Sequence, residues 1–462
     1  MKRRLFLASG LTATCGVLLN SCTDEEVTPV INNARVKAAG KVVTSRNPLK
    51  VPPVISPNGL TLQSGLTTSN LGGGKISNVW AYNGQFPGPT LKASSGSTVM
   101  VTLQNQLPEQ TITHWHGMLV DTHNDGQPHH AIPSGSTYNY HYTINQRAAL
   151  NWYHPHPHML TGKQVYNGLA GAFIVTDAYE QSLWLPSGAY EVPLVVRDAT
   201  LDSLGNLNYK PRSGGFLGQI PLVNGTIDPY LNVDKTVYRF RILNGANSRI
   251  FNLALSNGAS FALIGNDGGL LENSASLTSV DMANGERTDV LIDFSSYAPG
   301  TRIMLKDLRS GWNLLEFRVT STAVAYNGPR ATTSTINRLS NPVRTRVFSF
   351  DGMSKINGRE FDMHRIDFEV PFSETELWRF TTSGNAPHPV HVHGASFQVV
   401  SRSGGRNRLF PWESGWKDTV LLEDRETVEI LVRFDAYKGQ FVMHCHKLEH
   451  EDMGMMCNFI VI

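Results

Sequence analysis

Cysteine is scarce in this chain: four in 462 residues, at Cys15, Cys22, Cys445 and Cys457. No disulfide framework is evident, so stability must come from packed cores and from any metal the chain holds. Charge is scarce too. Charged residues make up 17% and the formal net charge is +2, which gives no basic field for a nucleic-acid partner. The apolar run from Leu5 to Leu19 is too short to span a bilayer comfortably. Residues 51–177 show no convincing amphipathic helix. Histidine is missing from a whole stretch, with none between His158 and His364.

Glycine and proline are plentiful, at 41 and 24. Low charge with many turn formers fits an all-β protein better than a helical one. A single core rarely grows past about 250–300 residues, so this length implies two to four domains. Strand-like runs recur between turn signals, as in Thr98–Leu103, Ala172–Val175, Tyr238–Leu243 and Asp289–Phe294. Asn83-Gly84 and Pro87-Gly88-Pro89 mark turns. The expected division is an export signal at 1–21, a tether at 22–50 and β domains at 51–177, 178–320 and 346–462. A linker at 321–345 precedes the last domain.

The N-terminus reads as an export signal. Lys2-Arg3-Arg4 precedes the apolar run, which ends at Leu19-Asn20-Ser21-Cys22, similar to a bacterial lipobox. Arg3-Arg4-Leu5-Phe6-Leu7 resembles a twin-arginine signal. The implied location is exported, as a periplasmic, outer-membrane or cell-surface lipoprotein whose sole membrane attachment is a lipid on Cys22. Loss of residues 1–21 removes three positive charges from +2 and leaves −1. Cys457 reads as a small buried hydrophobe.

Ten of the sixteen histidines fall in four tight motifs, all outside the middle segment. These are His114-Trp115-His116, His154-Pro155-His156, His388-Pro389-Val390-His391-Val392-His393 and His444-Cys445-His446 with His450. In a strand, side chains alternate between faces, so His444 and His446 share one face and Cys445 takes the other. Cys445, His450 and Met455 follow C-x4-H-x4-M spacing. A thiolate, imidazoles and a weak axial thioether are the ligands of a blue copper site. That site needs a second histidine, and His388 can point away from His391 and His393. Eight histidines remain in four H-x-H pairs, two from each outer segment. The middle segment then reads as a structural spacer.

These motifs, with Gly168-Leu169-Ala170-Gly171, Lys355-Ile356-Asn357-Gly358, Gly415-Trp416-Lys417-Asp418-Thr419-Val420 and His450-Glu451-Asp452-Met453-Gly454-Met455-Met456, resemble the multicopper oxidases. Among these the chain looks most similar to the copper efflux oxidases. The resemblance implies three consecutive cupredoxin-like domains, Greek-key β-sandwiches or barrels, with four copper ions. It implies type 2 copper on His114 and His391. One type 3 copper takes His116, His154 and His446, and the other takes His156, His393 and His444. Type 1 copper takes His388, Cys445, His450 and axial Met455. Asp125 and Glu451 match the family's proton-supplying acids. Asp418 matches an acid beside the type 1 histidine and a candidate substrate contact. The implied partners are O2 and a phenolic, aromatic-amine or metal-ion reductant, and the implied state is a monomer.

One departure concerns substrate. Copper efflux oxidases carry a methionine-rich cover over type 1, whereas residues 320–365 here hold only Met353 and Met363. His450 is therefore expected to be open to bulky phenols. The alternatives are a cuprous oxidase in copper tolerance and a copper-binding or structural cupredoxin without turnover. The second conflicts with a complete ligand set. A copper nitrite reductase would have two domains and no His-Cys-His doublet. His123, His129, His130, His141, His158 and His364 have no ligand role.

Overall fold

The structure, a computed structural model, describes residues 45–382, 384 and 387–462. The expected export signal, Cys15, Cys22 and most of the expected tether lie outside the described residues. Among the described residues there are six sheets, two built largely from each of three consecutive stretches. The first stretch forms a four-stranded and a five-stranded sheet, the middle stretch two six-stranded sheets, and the last two five-stranded sheets.

Alternation in the sequence explains the sandwiches. In the strand Thr98–Asn105, Val99, Val101 and Leu103 are buried while Met100 faces outward. They meet Trp115, Tyr140, Tyr153 and Phe173 in the first core. Phe240, Ile242, Val290, Ile292 and Phe317 fill the middle core. Trp378, Phe380, Ile430 and Phe459 fill the last, together with Cys445 and Met455. The protein is thus all-β and cupredoxin-like, as the motifs imply.

Three local features depart from the expectations. Asn47–Pro48, placed in the tether, is a strand pairing in parallel with Pro229–Lys235 of the middle stretch. Arg46 anchors it by an ion pair to buried Glu316 at 3.1 Å. The strand Asn313–Ala323 runs into the expected linker. The chain beyond it lies along the middle sandwich, where Ser334 N donates to Glu272 O at 3.0 Å. Finally, Thr161–Asn167 is an α-helix inside 51–177, and Leu448–Asp452 is another beside the cysteine. Helices of seven and five residues complete too few turns to show a helical period in sequence. Among the described residues no helix is long and apolar enough to cross a membrane.

Candidate metal centres

Two strand pairs build the site. Thr113–His116 runs antiparallel to Ala149–Pro155 with His114 opposite His154. His388–Val392 runs antiparallel to Gly439–Cys445 with His391 opposite His444 and Val390 opposite Cys445. Alternation sends Trp115 into the first core and Cys445 into the last. It sends the histidines to the opposite faces, where the first and last stretches meet.

Eight buried imidazoles converge there. His444 Nε2 lies 3.3 Å from His156 Nε2 and 3.1 Å from His393 Nε2. The ring centroids of His116 and His154 lie 4.9 and 5.3 Å from that of His446. The His114 and His391 centroids are 5.7 Å apart. Burial drives the pKa values of His116, His154, His391, His393 and His446 well below the ordinary value. His156 is lowered to about 4, burial again being the largest cause, with neighbouring Glu451 opposing it. These six rings are therefore neutral at pH 7, the state in which imidazole binds a metal.

The second ring nitrogens show which lone pairs are free. A carbonyl oxygen only accepts, so His114 Nδ1 donates to Asp125 O at 2.6 Å and His391 Nδ1 donates to Asp418 O at 2.8 Å. His154 Nδ1 donates to Pro155 O at 2.8 Å. The Nε2 atoms of all three are buried without a partner. His116 is reversed: Nε2 faces Asp418 Oδ1 at 3.1 Å and Nδ1 is the orphan. Both nitrogens of His446 are orphans. Buried acceptors left bare cost free energy unless a cation sits among them. Outer partners that fix the tautomer are also what metal-bound histidines use. The residues present fit copper.

On the far side of the same strand, Cys445 Sγ lies 3.5 Å from His388 Nδ1 and 3.8 Å from His450 Nδ1. Those two nitrogens are 3.2 Å apart. His388 and His391 are three residues apart on one strand, and that odd spacing puts them on opposite faces. Burial lowers His388 to about 3 and His450 to about 2, with the Lys447 ammonium adding to both. Burial pushes the Cys445 thiol up to about 12, so binding a metal here must displace its proton. Met455 is fully buried in the same core, and its carbonyl accepts from Cys445 N at 3.1 Å.

His450 is not open, contrary to expectation. His388 and His450 both have 0% exposure and their Nε2 atoms are buried. A glycine-containing turn from the middle stretch lies against the adjacent Lys447, whose Nζ approaches Gly214 O at 3.5 Å. Few methionines in 320–365 does not mean an uncovered site: both histidines are buried, and the Phe350 ring lies 5.8 Å from that of His388.

The three carboxylates divide differently from expectation. Asp125 holds two rings, His114 through its carbonyl and His393 Nδ1 through Oδ2 at 2.8 Å. Glu451 stands between His444 Nδ1 at 3.2 Å and His156 Nδ1 at 3.6 Å. Burial would raise its pKa, but His156 and His444 hold it down at about 2. Asp418, expected beside the blue-site histidine, lies instead against His116 and His391, gripped by Arg287. It is buried and stands at the histidine cluster, not at the Cys445 site. The sequence reading misread its place because Asp418 directly precedes the strand Thr419–Leu422. That strand pairs with His388–Val392 at the His391 end, Thr419 opposite His391 and Leu422 opposite His388.

Sequence reasoning also missed two residues of the middle stretch, Gly285 and Arg287. A Cβ on Gly285 would come within 3.1 Å of both His116 and His446. The Asn284-Gly285 turn signal is the sole trace of this in the sequence. A cavity of about 290 Å³, lined in part by Arg147, Trp416 and Asp435, shares Gly117, Leu119, Gly394 and Ala395 with a narrow cleft reaching His114, His391 and His393. Of the other histidines, His129 and His130 sit on the short helix Pro128–His130, away from these clusters.

Two family models, each described as multicopper oxidase, match residues 65–180 and 329–462. The multicopper oxidase mco of Staphylococcus haemolyticus is 36% identical over 391 residues, covering 82% of this chain and 83% of that protein. A laccase of Bacillus subtilis is 33% identical over 459 residues, covering 82% and 89%. The crystal structure of a laccase from Pediococcus acidilactici matches with a TM-score of 0.84 at 35% identity, over 90% of this chain and 94% of that one.

Proposed function

This chain belongs to the multicopper oxidases, enzymes that use four copper ions, and we propose that His388, Cys445 and His450 form the site where it oxidises phenols, aromatic amines or metal ions. O2 is reduced to water at the eight-histidine cluster. The observation that carries this reading is Cys445, whose sulfur meets His388 and His450 while its neighbour His444 meets His156 and His393. Copper bound there would take electrons singly, and the four ions together, one at the cysteine site and three at the cluster, would hold the four electrons that reduce O2 to two waters.

The orphaned nitrogens support the family's partition. His114 and His391 present free Nε2 atoms to type 2. His116, His154 and His446 surround one type 3 position, and His156, His393 and His444 the other. Met455, buried in the same core, would complete the type 1 ligand set. A few covalent bonds separate Cys445 from His444 and His446. Glu451, ionised at rest, takes a proton from the solvent side and hands it on beside His156 and His444. Asp125 relays a proton beside His393, and its backbone carbonyl orients His114. The cavity beside Gly117 and Gly394 gives O2 and water a route to the cluster.

The enclosed type 1 histidines favour reductants that pass an electron through the covering residues over bulky phenols seated on His450. The lack of a methionine cluster disfavours specialised Cu(I) oxidation, since soft thioethers select that ion. Oxidation, without added copper, of phenols or aromatic amines that dock on those covering residues and not on His450 itself, with weak saturable Cu(I) oxidation, is the expected pattern. Steady-state O2 uptake by fully copper-loaded protein with each substrate decides it. A Cu(I) specificity constant far above that for phenols would restore the cuprous-oxidase reading. The N-terminal signature supports an exported protein tethered through a lipid on Cys22.

A further inference from the structure

We infer that Arg287, from the stretch that supplies no copper ligand, is a positioning residue for the histidine cluster. Through Asp418 it fixes which nitrogens of His116 and His391 face inward. The inference rests on the ligand partition just proposed.

Arg287 is fully buried, and each of its five N–H groups has an acceptor. Nε donates to Leu150 O at 3.0 Å, on the strand that carries His154. Nη1 donates to Gly285 O at 2.9 Å and to Asp418 Oδ1 at 2.7 Å. Nη2 donates to Asp267 O at 3.3 Å and, in a short contact, to Asp418 Oδ2. The fork therefore grips both carboxylate oxygens. Thr419 Oγ1 donates to Oδ1 at 2.9 Å and leaves the carboxylate no freedom to turn.

That fixed carboxylate meets His116 Nε2 at 3.1 Å. Together with Thr419 Oγ1, which donates to it and lies equally 3.1 Å from His116 Nε2, it decides that Nε2 carries the proton and Nδ1 the free lone pair, the reverse of His114, His154 and His391. The backbone carbonyl of the same Asp418 accepts from His391 Nδ1 at 2.8 Å and leaves its Nε2 with the free lone pair. Nearby, Lys417 pairs with Asp267 at 2.8 Å and Glu286 at 3.2 Å, so the Lys417–Thr419 segment is clamped to the middle stretch by charge. One guanidinium thus ties the first stretch, the last stretch and the Gly285 turn together at the cluster. Lysine cannot replace it, because a point charge has no fork.

The test is Arg287→Lys in the full copper-loaded enzyme, read by copper per chain, by the blue absorption and EPR signal of type 1, and by the EPR signal of the cluster. The expected result is an intact blue site with cluster copper lost, or with reoxidation by O2 slowed by roughly 10–100-fold. A full copper complement reoxidised at the wild-type rate overturns the inference. If Arg287→Lys loses the blue site as well, Asp418→Asn decides. That variant keeps the side chain's shape and is expected to damage the cluster while staying blue, and an undamaged cluster refutes the inference. Failure of the multicopper reading itself is separable, because the unaltered protein would then lack the blue site and the cluster signals.

Discussion

The Nε2 atoms of His156 and His444, residues 288 apart in sequence, face each other across 3.3 Å. Imidazole binds first-row metals at about 2.0 Å, and two such nitrogens at a tetrahedral angle sit about 3.3 Å apart. The protein thus holds the two rings at the spacing of ligands that share an ion. Glu451 lies behind both and faces their Nδ1 atoms. One step along the chain, Cys445 turns its sulfur to the opposite face.

Replacing that sulfur separates the two centres. Cys445→Ser is expected to abolish the blue colour and oxidation of the reductant while the cluster keeps its copper. The thiol's pKa of about 12 adds a proton count. Across pH 6–8 the empty site holds a thiol, so loading Cu(I) anaerobically releases one proton there, independent of pH in that window. Calorimetry in buffers of different ionisation enthalpy measures it. A serine variant that stays blue, or releases the same proton, contradicts the type 1 assignment.

Asp125→Asn and Glu451→Gln each remove a carboxylate that orients a ring and no ligand. Both are expected to slow reoxidation by O2 by roughly 10–100-fold without bleaching the blue site. Stopped-flow mixing of the reduced variants with O2 checks this, and wild-type rates would exclude the proton-relay role.

Met455→Leu is expected to keep the type 1 copper and raise its reduction potential. A weak thioether donor supports Cu(II) more than Cu(I). Redox titration followed at the blue band reads the change. An unchanged potential would point to Met453 or Met456 as the axial ligand.

Cys22→Ser is expected to move the protein from membranes into a soluble exported fraction, because a lipoprotein's several acyl chains anchor firmly where one would not. Equal membrane association of mutant and wild type would remove the lipid-anchor reading.

The clustering of the proposed copper-binding residues was legible because their chemistry is written locally. H-x-H on a strand and His-Cys-His each define a face by alternation alone, and the spacing to His450 and Met455 needs one short turn. Asp418, the covering of His450 and the role of Arg287 were not legible. Each depends on which strand lies beside which, or on a turn 130 or more residues away, as with Arg287 and Asp418. The middle stretch reads as inert because it lacks histidine, yet its buried charges and a glycine shape the cluster. The short helix carrying His450 and Glu451 was hidden for a different reason, since five residues show no period.

Electron stoichiometry in copper-loaded protein tests the central claim most directly: copper per chain, one-electron donor oxidised per O2 consumed, and hydrogen peroxide formed. A cysteine site joined to a complete trinuclear cluster predicts four coppers per chain, four donor molecules oxidised per O2, and no peroxide. Two donors per O2 with matching peroxide, from protein carrying its full copper, would contradict it.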